Sequence, residues 1–304
     1  MPNDHDQHAA ATHAHPGTTT HHAYAHAAHD HDHDDPAMAE MLDLDAEVLH
    51  AYLSEVIGWV AGTAAGPPRR ILDLGAGTGA GALALAQRFT DATVIAVDAS
   101  APLLGHLQDK ARDLGVADRV HVIQADLDAG WPAVDPVDLV WASKSLHHMA
   151  DPARVLADVF TALRPGGLLA VDELGSFPRF LASEPGAGLE ARGHEIVDGL
   201  RAAELPHLGS DWAPRLRQAG FTVLGEREFA IDLRPPLPAA AGRYAQVSLR
   251  RLRSALDDRM SADDLAAFDA LIDSDGPDGV LHRTDLSVRT TRTVYLAERP
   301  GAAR

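Results

Sequence analysis

Apolar positions along the chain fall into two regular patterns separated by breakers. Residues 38–62, MAEMLDLDAEVLHAYLSEVIGWVAG, place Leu42, Val48, Leu49, Leu53, Val56, Ile57 and Val60 near helical spacing, and Gly66-Pro67-Pro68 ends the run. An alternation of short apolar runs and helical stretches follows. The runs RILDLG (70–75), TVIAVDA (93–99), VHVIQAD (120–126), VDLVWAS (137–143) and LLAVDE (168–173) read as strands. Helical patterns fill 79–89, 101–114 and 151–163, while the link from Leu127 to Pro136 is too short to hold much of a helix. Near-continuous apolar strands alternating with helices predict an α/β fold with a doubly wound parallel sheet. Beyond it, 185–204 and 210–219 read as helices and 221–233 as a strand of period two. Two further helices, 244–258 and 261–274, precede a last strand at 287–299 rich in β-branched residues.

Composition narrows the class of protein. Apolar residues make up 46% of 304, enough to bury a full core. No apolar run is long enough to span a membrane, and no export signal opens the chain, so the expectation is a cytoplasmic protein without a membrane partner. Cysteine is absent, which removes disulfides, thiolate nucleophiles and cysteine-based zinc sites. The net charge is −18, a surface that repels phosphate backbones and argues against nucleic acid. Of this, −11 lies in residues 1–68, which hold no Lys or Arg.

The sequence ILDLGAGTGAGALALA, residues 71–86, carries the first chemical signal. An apolar strand runs into a glycine cluster that opens onto a helix, the way a parallel strand ends over a ligand. Gly75, Gly77 and Gly79 let backbone approach that ligand and permit positive φ. The second strand ends at Asp98, nineteen residues after Gly79, where a carboxylate can accept from both ribose hydroxyls. To this point a nicotinamide dinucleotide and S-adenosylmethionine fit equally well. The third strand ends at Asp126, placed to accept from an adenine amino group. The fourth ends in WASKSLHHMADP, and a Pro165-Gly166-Gly167 turn launches the fifth.

In that order LDLGAGTG, AVDAS, QADLD, VDLVWASKSLHHMADP and LRPGGLLAVDE, about residues 70–173, resemble the class I S-adenosylmethionine-dependent methyltransferases of small-molecule type. The resemblance implies a Rossmann-like, doubly wound, seven-stranded sheet, mostly parallel with the last strand antiparallel, carrying helical lid insertions. The domain plan is then a disordered His-rich tail at 1–35, an N-terminal helical lid segment at 36–68, and a methyltransferase domain at 69–304 with helical insertions near 174–205 and 238–275. It implies S-adenosylmethionine as cofactor and S-adenosylhomocysteine as product. Asp73 and the loop Gly75, Ala76, Gly77, Thr78 and Gly79 would hold the methionine end, Asp73 answering its cationic amino group. Asp98 with Ala99 would hold the ribose, Asp126 and Leu127 would bracket the adenine, and Ala142 and Ser143 would lie under the sulfonium.

Methyl transfer needs alignment and, for many acceptors, removal of a proton. His147 and His148 follow the fourth strand and are the candidate general bases, since imidazole titrates near neutrality. Packing beside the cofactor or capping of the next helix is the competing role. Lys144, Asp172 and Glu173 also reach the strand ends, for substrate contact, orientation of His147 or structural pairing. Tyr52, Trp59, Phe177, Phe180, Trp212 and Tyr244 are candidate wall residues, with core packing the plainer role for each.

Residues 1–35 hold ten of the eighteen His, mixed with Ala, Thr and Asp. Such a segment resists folding and offers weak nitrogen and oxygen ligands to a divalent metal ion. A metal site in the core is not expected. The function expected is transfer of a methyl group to an oxygen or nitrogen of a small molecule. The alternatives are a metal-responsive S-adenosylmethionine-binding protein that uses the tail, or a nicotinamide-dependent oxidoreductase. The helices of 238–275 serve equally as a lid or as a homodimer interface.

Overall fold

The computed structural model describes residues 36–181, 188–276 and 278–301. The His-rich tail expected at 1–35 lies outside the described residues. Seven strands form one sheet: β1 (Arg70–Leu74), β2 (Thr93–Asp98), β3 (Val120–Gln124), β4 (Val137–Ser143), β5 (Leu163–Leu174), β6 (Thr222–Leu233) and β7 (Val288–Glu298). Their order is β3-β2-β1-β4-β5-β7-β6. The first five pair in parallel, and β7 runs antiparallel to both β5 and β6. This is the expected mostly parallel sheet with its last strand reversed. The order turns at β1 and β4, so the crevice of the switch point opens beyond their carboxyl ends.

The pattern of apolar residues explains the layers. On β1, β4, β5 and β7 both faces are buried, so successive side chains enter two different cores. One core holds Ile71, Leu139, Trp141, Leu168, Ala170, Val294 and Leu296. The opposite core holds Leu72, Leu74, Val140, Ala142, Leu169, Val171, Tyr295 and Trp212.

Helices α1 (Pro36–Val48) and α2 (His50–Thr63) occupy the N-terminal segment, separated at Leu49. The crossover helices are α3 (Ala80–Arg88), α4 (Ala101–Asp113) and α5 (Pro152–Ala162), followed by α6 (Leu189–Glu204) and α7 (Trp212–Gln218). Two more, α8 (Ala241–Ser254) and α9 (Ala262–Asp273), lie between β6 and β7. Local chemistry starts several of them: Ser100, Asp151, Asp211 and Ser261 accept from backbone N–H groups of the first turns of α4, α5, α7 and α9. The two insertions expected near 174–205 and 238–275 do not stand apart. Phe180, Val197, Tyr244, Leu249, Leu252, Phe268 and Ile272 share a third core with Val48 and Leu49 from the N-terminal segment.

The elements differ from the sequence reading in places, as at α8, which runs Ala241–Ser254 where 244–258 was expected. β5 begins at Leu163, five residues before the expected strand, because Leu163 pairs with Val137 ahead of a register shift. A 3-10 turn spans Leu146–His148, too short to leave a periodic signature.

Candidate active site

Strand pleating sorts the polar residues at the carboxyl edge. Asp73, Ser143, Asp172 and Arg292 are in phase with Ile71, Trp141, Ala170 and Val294, so all four emerge on the face that α1 and α2 cover. Glu173, one residue on, emerges on the other face. The sequence left Asp172 and Glu173 interchangeable, and the pleat gives them separate partners.

The glycine loop has the expected conformation. Gly75, Gly77 and Gly79 have φ of 66°, 53° and 86°. A Cβ on Gly79 would lie 2.4 Å from Leu107 Cγ, so this position needs glycine both for its backbone and for its space. Asp98 fastens the loop to β2: its Oδ2 accepts from the Gly77 N–H at 2.8 Å and its Oδ1 from the Ser100 N–H at 2.9 Å. Each oxygen keeps a second lone pair, so ribose hydroxyls can still donate. Ala99 and Asp126 are exposed. Asp126 Oδ1 accepts from the Asp128 N–H at 2.8 Å, and Leu127 is buried beside it. Ala142 points into the core opposite Asp73, so only its backbone is at the edge, whereas Ser143 donates its hydroxyl to Asp172 Oδ2 at 2.7 Å.

Asp73 is the group whose state most needs a ligand. It is 2% exposed, and its Oδ2 has no hydrogen-bond partner among the described residues. Burial pushes its carboxyl up to about 7, with the charge of Asp98 adding to the rise, while a backbone N–H at Ala82 and the Lys144 ammonium oppose it. An orphaned buried carboxylate oxygen beside three left-handed glycines fits the cationic amino group of S-adenosylmethionine. The residues present therefore suit that cofactor.

Of the two histidines, His147 is 3% exposed, and its Nδ1 lies 2.5 Å from Glu173 Oε2. An ionised carboxylate only accepts, so Nδ1 carries the hydrogen, and in the neutral imidazole Nε2 is the nitrogen with the lone pair. Glu173 Oε1 accepts from the Leu146 N–H at 3.0 Å, which fixes the pair to the turn. His148 is exposed, with its ring centroid 4.1 Å from that of His147.

Beyond Ser143, a second group of polar side chains meets at the same edge. Tyr52 of α2 donates to Asp172 Oδ1 at 2.6 Å. Asp45 of α1 accepts from three donors: Tyr244 Oη at 2.6 Å, Arg292 Nη2 at 2.8 Å and Lys144 Nζ at 3.0 Å. Burial pushes the Asp45 carboxyl up, but the Lys144 and Arg292 charges outweigh it and hold the group well below the usual carboxylate range. Burial, and then the charges of Asp172 and Asp45, push the Tyr52 and Tyr244 phenols above their ordinary value. Asp45 and Arg292 went unnoticed in the sequence. The signal was there for Arg292: Val288, Thr290, Arg292, Val294 and Leu296 share one buried phase of β7, and a charge on that phase demands a partner.

The candidate wall residues divide. Phe180, Trp212 and Tyr244 are buried, Trp212 in the core beneath Glu173. Phe177 stacks under Arg201, and Trp59 lies against Gly225 and Arg227, away from the strand ends.

Known proteins agree with this geometry. Residues 71–167 match the family described as a methyltransferase domain. The chain is 32% identical over 176 residues to 27-O-demethylrifamycin SV methyltransferase of Amycolatopsis mediterranei (strain S699), covering 58% of this chain and 62% of that protein. It is 36% identical over 174 residues to trans-aconitate 2-methyltransferase of Azoarcus sp. (strain BH72), covering 57% and 53%. The chain thus spans less than two thirds of either relative. The crystal structure of the YcgJ protein from Bacillus subtilis shares the fold at a TM-score of 0.51 and 17% identity, over 82% of this chain and 99% of that one. Over its glycine loop and the sheet around it, the chain is similar to S-adenosylmethionine-dependent methyltransferases.

Proposed function

We propose that the protein transfers the methyl group of S-adenosylmethionine to an oxygen or nitrogen of a small molecule. The observation that carries this is the buried Asp73 carboxyl, with one oxygen unpartnered, set beside a glycine loop held open by positive φ. When bound, the cofactor supplies a methyl on a cationic sulfur with a good leaving group. The protein's part is to bind, align and exclude water. Asp73 and residues 75–79 would take the methionine end, Asp98 the ribose, and Asp126 with Leu127 the adenine. Leu42 of α1 packs over the loop, 3.2 Å from where a Cβ on Gly77 would stand, so this helix shields the site.

For an acceptor that must lose a proton, His147 is the base. Glu173 holds its Nδ1–H and leaves Nε2 to receive the proton, the arrangement of an oriented general base. The small-molecule reading is supported by the cap of α1, α6, α8 and α9 over one end of the domain and by the acidic surface, which disfavours a nucleic acid. Both relatives carry names of small-molecule methyltransferases. Among the described residues no helix is long and apolar enough to cross a membrane.

The test is a calorimetric titration with S-adenosylhomocysteine, followed by an acceptor screen in S-adenosylmethionine. Saturable micromolar binding that Asp73→Asn weakens is the expected result. A folded, ligand-free sample that binds none would overturn the proposal.

A further inference from the structure

Arg292 is 1% exposed, yet among the described residues only its Nη2 is bonded, to Asp45. Its Nε and Nη1 are buried with no acceptor among the described residues. A guanidinium stripped of water with three N–H groups unused is costly, and it marks a place where an acceptor belongs. With Asp73 left to the cofactor's ammonium, the charges around it balance: Arg292 and Lys144 against Asp45 and Asp172. Three of these sit on the sheet or the loop just after β4. Asp45 alone rides on α1.

That helix is held across the strand ends by Met41, Leu44 and Val48 in the third core and by its acids. Glu40 pairs with Arg243, Asp43 with His106 and Lys110, and Asp45 with Lys144 and Arg292. The first two sets are partly exposed, and pairs of that kind hold weakly. Because Leu42 packs on Gly77, an acceptor reaching the loop from this side must displace α1. Asp45 then leaves with it. What remains is two cations, one anion and the Tyr244 hydroxyl, a net charge of +1 at the strand ends. One carboxylate restores the balance and takes over three donors already arranged around a carboxylate.

On the methyltransferase reading, we infer that Arg292, Lys144 and Tyr244 form the anchoring site for a carboxylate on the methyl acceptor, and that Asp45 occupies that site until α1 opens. The acceptor class is therefore a small carboxylic acid. A neutral molecule leaves the site one positive charge in excess, and a dianionic phosphate puts both its charges on the same donors and leaves it one negative, whereas a dicarboxylic acid brings one carboxylate to the donors and keeps the other outside.

The experiment uses the full chain saturated with S-adenosylhomocysteine and succinate as the probe, with its uncharged diamide and inorganic phosphate as comparisons. Removing the resident competitor with Asp45→Asn is expected to tighten succinate binding by about tenfold or more, with no matching gain for the diamide or phosphate. Replacing buried Arg292 endangers the fold, so the partly exposed Lys144 serves as the second handle. Adding Lys144→Gln to Asp45→Asn is expected to reverse most of the gain. The inference falls if Asp45→Asn binds succinate no better than the unsubstituted chain. It falls if the diamide or phosphate gains equally. It also falls if deleting residues 1–35 alone produces the gain, since an acid of that segment would then be the occupant. Succinate binding in protein that fails to bind S-adenosylhomocysteine would sink the methyltransferase reading and leave the anion site standing. The reverse pattern would do the opposite.

Discussion

Acidification should weaken cofactor binding through Asp73, and the size of the effect follows from its surroundings. Burial holds the empty site's carboxyl near 7, whereas the cofactor's ammonium needs it ionised. With that value, about three quarters of the sites are ionised near pH 7.5 and about 3% near pH 5.5. Affinity for S-adenosylhomocysteine should therefore fall roughly 25-fold over that range, about 2 kcal/mol. Near pH 6 each binding event should release about 0.9 of a proton. Calorimetry in two buffers of different ionisation enthalpy reads both quantities together. Asp73→Asn should bind weakly and lose the pH dependence.

The same substitution should act oppositely on stability. A raised folded-state pKa means that the native form holds more protons than the unfolded one, so stability is lost as pH rises from the ordinary carboxylate range through 7. Removing that carboxyl should stabilise ligand-free protein near pH 8 by at most about 4 kcal/mol, read as a higher melting temperature, and change little near pH 4. Affinity that stays flat from about pH 7.5 to about pH 5.5, with no proton released, would refute the assignment of Asp73 to the ammonium.

Gly79→Ala forces a side chain onto φ of 86° and into Leu107, and should cost about 1–3 kcal/mol in chemical denaturation while weakening S-adenosylhomocysteine binding. Glu173→Gln should leave cofactor binding within about twofold but lower kcat on an oxygen acceptor at least tenfold and shift its pH profile, because the amide no longer fixes the His147 tautomer. An unchanged profile would make the pair structural. Tyr52→Phe removes one of two side-chain donors to buried Asp172 and should destabilise the fold by about 1–3 kcal/mol, read from the denaturant midpoint.

Much of this site was legible in the chain because its parts are local. The glycine loop is five consecutive residues, and Asp73, Asp98 and Ser143 announce themselves by standing where apolar strands stop. His147 was equally visible, but its role was not. Whether it faces Glu173 or Asp172 depends on which side of the sheet each strand residue emerges, and that is set by register with β4 and β7. The helical insertions were found as helices. That α6, α8 and α9 share a core with the N-terminal segment followed from no local pattern.

The sequence by itself determined the alternation of strand and helix, the turns and the chemistry of the strand ends, since periodicity and glycine conformation act within a few residues. The tertiary structure decided which charges meet. Asp45 and Arg292 are 247 residues apart, on elements joined only through the packing of α1 over the sheet. Neither segment identifies the other as its partner. Burial makes them partners, because a charge taken out of water must find its counterion wherever the fold has put it.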